Sequence, residues 1–176
     1  DLSGMIPADL GNLLSLEALW LDTNKLTGAI PPQLAQLVEL EELNLFTNEL
    51  NGTIPTQLGD LINLEVLDME ENNFTGTIPT ELGNLTSLEE LWLNDNKLTG
   101  TIPTQLAQLV ELEALYLQGN MFINDLISER AVPDEVCDLF DASIGSSLNK
   151  IKLDNDTGSV ISIDNREECD AARFAS

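Results

Sequence analysis

Five prolines stand 24 residues apart, at Pro7, Pro31, Pro55, Pro79 and Pro103. The same spacing carries Asn24, Asn48, Asn72, Asn96 and Asn120, and again Leu19, Leu43, Leu67, Leu91 and Leu115. A strict period in this range means short units stacked one on the next, because no single unit can bury its apolar side alone. Such chains are quasi-one-dimensional and usually serve as binding surfaces.

One unit, residues 16–39, reads Leu16-x-x-Leu19-x-Leu21-x-x-Asn24-x-Leu26-x-Gly28-x-Ile30-Pro31-x-x-Leu34-x-x-Leu37. The Leu-x-Leu alternation predicts a half-buried strand, with Leu19 and Leu21 inward and Ala18, Trp20 and Asp22 outward. Asn24 follows where the chain must turn. Its amide can serve backbone groups of its own coil and the next, which burial would otherwise leave unsatisfied. Gly28 permits an unusual backbone path. Ile30-Pro31 is extended, since the residue before proline is biased away from helix. Leu34 and Leu37 turn the return segment inward. Stacking aligns the strands into a parallel sheet, about 4.8 Å per coil. Met69 in a strand leucine slot, and Phe74 and Phe122 in the Leu26 slot, are swaps that a packed interior tolerates.

A second rhythm has three times the period. Leu16–Gly28 returns as Leu88–Gly100, and Pro32–Leu40 as Thr104–Leu112, each with few changes. Duplication of a three-coil block explains both. The beat fails after Asn120. Pro133–Phe140 is expected to form a short helix opened by proline. Leu148-x-x-Ile151-x-Leu153 repeats the strand signature after twelve extra residues, and Ser159–Ile163 reads as another strand. The organisation expected is five repeats over 1–122, then an enlarged last repeat and C-terminal cap over 123–176.

Leucine must fill the core, because 43% of residues are hydrophobic but only 5% aromatic. The net charge is −24, with seven basic residues and no histidine. Nucleic-acid binding is excluded on that charge, since it needs a positive footprint to displace counterions from phosphate. A cationic partner, or one indifferent to charge, fits better. No apolar run approaches 18 residues, so no membrane insertion is expected. Cys137 and Cys169 both follow the regular repeats. A disulfide between them is expected in an oxidising compartment, worth roughly 3–4 kcal/mol in the chain-entropy model; two free thiols are the alternative. The chain starts inside a repeat, at Asp1-Leu2-Ser3-Gly4, as a processed chain or a fragment would.

The consensus Leu-x-x-Leu-x-Leu-x-x-Asn-x-Leu-x-Gly-x-Ile-Pro-x-x-Leu-Gly-x-Leu resembles the plant-type extracellular leucine-rich repeat. It is similar to the repeats of plant receptor-kinase ectodomains and polygalacturonase-inhibiting proteins. Leu64–Leu85 and Leu88–Leu109 match best, and the resemblance covers about residues 2–122. It implies an α/β solenoid: a right-handed superhelix with a concave parallel β-sheet and an irregular or 3-10 convex side. It also implies recognition of proteins, peptides or glycans, and a secreted or lumenal location.

The alternation places five columns on the concave face. Glu17, Glu41, Glu65, Glu89 and Glu113 form one; Ala18, Glu42, Val66, Glu90 and Ala114 the next. Trp20, Asn44, Asp68, Trp92 and Tyr116 form the centre. Beyond it run Asp22, Phe46, Glu70, Asn94 and Gln118, then Thr23, Thr47, Glu71, Asp95 and Gly119. Stacked like charges are unfavourable unless solvated or counter-charged. Exposed tryptophan and tyrosine are enriched at binding hot spots. Carboxylates beside aromatic rings favour an arginine- or lysine-bearing peptide. The expected ligand-binding residues are Trp20, Trp92, Tyr116, Phe46, Glu41, Glu65, Asp68 and Glu89. A calcium ion held by stacked carboxylates and a merely solvated face are the alternatives for the glutamate column; no metal or cofactor is expected.

The opposite flank bears threonines: Thr27, Thr75 and Thr99; Thr53, Thr77 and Thr101; Thr56, Thr80 and Thr104. Such ladders can order water, so ice binding is an alternative function. A structural subunit of a larger assembly, joined through its first coil, is another. Asn51, Asn73, Asn84 and Asn155 each begin an Asn-x-Thr glycosylation motif. Catalysis is not expected. There is no histidine, neither cysteine has an evident base, and the exposed carboxylates lack an environment that splits their pKa values.

Overall fold

The computed structural model describes residues 1–122, 150–154 and 160–163. Each coil gives one strand to each of two sheets and one 3-10 turn between them. The concave sheet is built from β2 (Ala18–Trp20), β4 (Glu42–Asn44), β6 (Val66–Asp68), β8 (Glu90–Trp92), β10 (Ala114–Tyr116), β12 (Lys150–Asp154) and β13 (Val160–Ile163). The second sheet is built from β1 (Ser3–Met5), β3 (Lys25–Gly28), β5 (Glu49–Thr53), β7 (Asn73–Gly76), β9 (Lys97–Gly100) and β11 (Met121–Phe122). The 3-10 turns are η1 (Ala8–Asn12), η2 (Pro32–Gln36), η3 (Thr56–Asp60), η4 (Thr80–Asn84) and η5 (Thr104–Gln108).

Proline starts every 3-10 turn. Its ring fixes φ near −65°, and Pro7, Pro31, Pro55, Pro79 and Pro103 have φ between −68° and −63°. Each proline carbonyl then accepts the N–H three residues on, as in Leu58 to Pro55 at 3.1 Å. Leu34, Leu58, Leu82 and Leu106 drop from the turns into the core.

The two sheets stack differently. In the concave sheet the coils pair with a 24-residue offset: Leu19 beside Leu43, Leu43 beside Leu67, Leu67 beside Leu91, Leu91 beside Leu115. In the second sheet the offset is two residues shorter, so Gly28 lies beside Leu50, Gly52 beside Phe74 and Gly76 beside Leu98. Glycine is needed there, because φ is +78° to +82° at these three positions, a region that side chains disfavour. The sequence indicated an unusual path at Gly28 but not a second continuous sheet.

The asparagine column joins the coils as expected. Asn72 Oδ1 accepts the Leu50 N–H at 3.0 Å, while its Nδ2 donates to Leu45 O at 2.9 Å, Glu70 O at 3.0 Å and Met69 O at 3.4 Å. Asn48, Asn96 and Asn120 repeat the pattern one coil before, one after and two after. The core is a continuous leucine column, with Met69 and Phe74 fully buried in the slots assigned to them. Leu2 and Leu13 occupy columns that are buried in later coils, yet both are exposed in the first.

Ile151 pairs with Leu115, so β12 continues the parallel sheet across the longer connection. β13 then pairs antiparallel to β12. Cys137, Cys169, the helix expected over 133–140 and Asn155 lie outside the described residues. Among the described residues no helix is long and apolar enough to cross a membrane.

Candidate recognition surface

Strand alternation carries the central column onto the concave face, and neighbouring coils set its order. Trp20, Asn44, Asp68, Trp92 and Tyr116 are successive register partners. The two tryptophans occupy equivalent places in the duplicated blocks but have different neighbours. Trp92 stacks on Tyr116, with ring centroids 3.9 Å apart and planes 21° apart. Tyr116 is consequently buried and Trp92 half-buried. Trp20 has Asn44 beside it and remains 65% exposed. Of the three aromatic residues read as exposed from the alternation, only Trp20 stands clear of the sheet. Stacking between adjacent coils is the reason.

Both indoles are tethered by glutamates outside the expected set. Trp20 Nε1 donates to Glu42 Oε2 at 2.8 Å, across to the next coil. Trp92 Nε1 donates to Glu90 Oε2 at 2.9 Å within its own strand. The signal for these partners was present, since residues two apart on a strand share a face. The pairing itself depends on rotamers that the alternation does not fix.

Asp68 lies between Asn44 and Trp92 in the middle of the surface. Partial burial raises its carboxyl from 3.8 to about 6, helped by the negative charges of Glu70, Asp22 and Glu90 and opposed by the Glu70 N–H that it accepts. That hydrogen bond measures 3.0 Å. Phe46 is half-buried beside this column. Glu41, Glu65 and Glu89 are exposed at the strand entrances, as are Glu17 and Glu113. Their backbones run the ladder: Glu41 O accepts N–H bonds from both Glu65 at 2.7 Å and Val66 at 3.1 Å.

The basic residues are placed elsewhere. Within 1–122 they are Lys25 and Lys97 alone, and both sit on the second sheet, in β3 and β9. Lys150 and Lys152 take register positions beside Ala114 and Tyr116, at the far end of the concave sheet. Among the described residues two buried side-chain atoms lack a hydrogen-bond partner, Asn94 Oδ1 and Gln118 Oε1. Both are acceptors on the concave side. No three His, Cys, Asp or Glu side chains among the described residues gather closely enough to hold a metal ion.

The threonine-bearing face lies on the second sheet and the 3-10 turns. Thr53, Thr77, Thr101, Thr56, Thr80, Thr104 and Thr75 are exposed, and Thr27 and Thr99 half-buried. The positions that recur every 24 residues from Ser3, Met5 and Ala8 to Thr99, Thr101 and Thr104 are uncharged, but the two-residue-shorter register of this sheet sets Glu49 beside Thr27 and Lys97 beside Thr75. The Thr53 and Thr77 methyls seat over Gly76 and Gly100 of the next coil, where an added Cβ would meet them at 3.0 and 2.7 Å.

The family model for the leucine-rich repeat region matches residues 3–154. No curated protein sequence matches the chain. Among solved structures, a plant peptide hormone receptor, RGFR1 in complex with RGF2, is 31% identical with a TM-score of 0.75, covering 87% of this chain and 23% of its own. The Arabidopsis receptor kinase HAESA, in complex with the peptide hormone IDA and the co-receptor SERK1, is 34% identical with a TM-score of 0.73, covering 87% of this chain and 24% of its own. A plant ice-binding protein is 35% identical with a TM-score of 0.66, covering 68% of this chain and 39% of its own. The chain thus spans about a quarter of the length of these receptor chains. Repeat unit, two-sheet coil and family model agree, and the chain belongs to the leucine-rich-repeat family.

Proposed function

We propose that the concave sheet is a non-catalytic recognition surface for a basic segment of a protein or peptide, working outside the cell or in a lumenal compartment. The observation that carries this reading is charge placement. Over five coils the concave sheet has no basic residue, while its acidic columns flank two tethered indoles. The exposed carboxylates there are acceptors, which a donor-rich guanidinium or ammonium group suits. Structural relatives that carry peptide hormones support a peptide partner. An ectodomain among the relatives, that of a plant membrane receptor kinase from Arabidopsis, supports the compartment.

Trp20 and Trp92 are the only tryptophans of the chain, so intrinsic fluorescence reports on the surface directly. Titration with a hexa-arginine peptide is expected to perturb it, and hexa-glutamate is not. Trp20→Ala should weaken hexa-arginine binding about tenfold or more, the scale of a hot-spot aromatic. It should leave thermal unfolding nearly unchanged, because Trp20 is mostly solvent-exposed. Undiminished affinity in this variant would overturn the concave-face reading.

Ice binding is a second reading, favoured by two observations. Three threonine-rich columns recur along one side of a chain of net charge −24, with only Glu49 and Lys97 set in register beside Thr27 and Thr75, and one relative is an ice-binding protein. Ordered hydroxyls and methyls at a regular spacing are what a neutral lattice requires. Ice-crystal shaping by the purified chain tests it, and unshaped crystals at millimolar protein dispose of it.

A further inference from the structure

Three of the four Asn-x-Thr motifs fall on described residues: Asn51 in β5, Asn73 in β7 and Asn84 at the end of η4. Asn51 and Asn84 are exposed and Asn73 is half-buried. All three lie off the concave sheet. Asn51 and Asn73 are also register partners on adjacent parallel strands, about 4.8 Å apart. Each is followed by an inward core residue or a turning glycine, so both side chains stand on the solvent side of the same sheet.

We propose that Asn84 and one member of the Asn51–Asn73 pair, normally Asn51, carry N-linked glycans. The proposal rests on the extracellular or lumenal reading above. In the transfer, the asparagine amide nitrogen bonds to the anomeric carbon of an oligosaccharide carried on a lipid diphosphate. The sugar–phosphate C–O bond breaks, the amide nitrogen gives up a proton, and the lipid diphosphate departs. A pyranose with its acetamido and hydroxymethyl arms is wider than one strand spacing. Transfer precedes folding, so the limit acts on which glycoforms can close the β5–β7 register: one sugar fits, two force the strands apart. Of the two singly modified forms, the one that carries its sugar on Asn51 closes the register with less rearrangement, because Asn51 is the more exposed in the folded chain.

This pattern has a functional consequence. Asn51 lies on the same strand as Thr53, whose register partner is Thr75, so a glycan there covers the threonine face and keeps a flat lattice from it. The concave sheet stays bare. The modification therefore selects between the two faces on which function has been read.

The test is to secrete the 176-residue chain from yeast behind an added signal peptide and map its glycopeptides, with Asn84 occupied as the expected result. An Asn84→Gln, Asn155→Gln variant then isolates the pair. Intact mass of the folded monomer should show one glycan per molecule, removable by an amidase specific for N-glycans. Adding Asn51→Gln should move that glycan to Asn73, and adding Asn73→Gln as well should abolish it. A bare Asn84, an unmodified pair, or two glycans on one folded molecule overturns the proposal. The hexa-arginine titration on the same samples is independent, so loss of the glycan pattern with retained peptide binding leaves the concave surface standing.

Discussion

Asn72 and Asn24 hold the same place in their coils but do different amounts of work. Asn72 is 8% exposed and bonds to both its own and the preceding coil. Asn24 keeps two bonds within its coil, to Leu21 O and Asp22 O, and accepts from the exposed chain start. Orphaning a buried group costs about 1–3 kcal/mol, so Asn72→Ala, which orphans the Leu50 N–H and leaves the Leu45 carbonyl with Asn48 Nδ2 as its remaining side-chain donor, should lose about 2–3 kcal/mol. Asn24→Ala should lose about 1 kcal/mol, near the net worth of one ordinary hydrogen bond. Urea denaturation of the two variants checks the ordering, and equal losses would contradict it. Asp68 adds a pH signature. Its folded value of about 6 lies above the ordinary 3.8, so between roughly pH 4 and 6 the folded chain holds a proton that the unfolded chain has lost. Its contribution is therefore most favourable at low pH and is lost as pH rises through about 6. Asp68→Asn, which resembles the protonated acid and can still accept the Glu70 N–H, should melt higher than the parent at pH 7.5 and alike near pH 3.5. Parallel melting curves across that range would show that the carboxylate is well solvated. A basic ligand needs the opposite form, so binding to the parent should strengthen as pH rises through the same window.

The 3-10 turns show why the elements pack as closely as they do. An added Cβ at Gly11, Gly59 or Gly83 would meet the carbonyl oxygen of Gln33, Glu81 or Gln105 on the next coil. In the equivalent slots Ala35 and Ala107 carry a methyl, so the coil spacing on the convex side is set locally. Gly59→Ala should cost about 1–3 kcal/mol, the range for overpacking a filled interior, whereas Ala35→Gly should cost no more than about 1 kcal/mol. Thermal melts of the two variants measure the asymmetry, and a harmless Gly59→Ala would mean that the coils can separate freely. The elements were legible in the sequence to different depths. Leu-x-Leu, the asparagine column and the proline column each correspond to a single local requirement, and all three appear where the period put them. The second sheet depends on a two-residue shift between coils, a relation that no one unit contains. The aromatic surface was legible as a column, but the burial of Tyr116 was not, because stacking against Trp92 is a contact between coils rather than a property of either strand.

At the scale of the molecule the dominant fact is charge. The net value is −24, and the repeat places Glu17, Glu41, Glu65, Glu89 and Glu113 on successive coils joined by backbone hydrogen bonds. Two unit charges about 5 Å apart repel by about 1 kcal/mol even in water. The screening length falls from about 30 Å at 0.01 M salt to about 3 Å at 1 M. Stability should therefore rise with sodium chloride, by an amount of order 5–10 °C in Tm across that range, given that about 1 kcal/mol moves Tm by about 2–4 °C in a chain of this size. A Glu41→Gln, Glu65→Gln, Glu89→Gln variant should start higher and respond less. The parent's response separates two states of the column. A flat profile would mean that the carboxylates fan into solvent and repel little, which removes the electrostatic reason for a basic partner. A steep profile means that folding stores repulsion along the concave face, and any ligand that neutralises it gains that energy on binding. Hexa-arginine should then raise Tm at low salt at micromolar concentration and lose the effect as salt is added, because peptide and salt relieve the same repulsion. The triple variant should show little of either effect. Differential scanning fluorimetry across salt and peptide reads all of these together, and peptide stabilisation that persisted at 1 M salt would place the binding energy in the indoles rather than in the glutamate column.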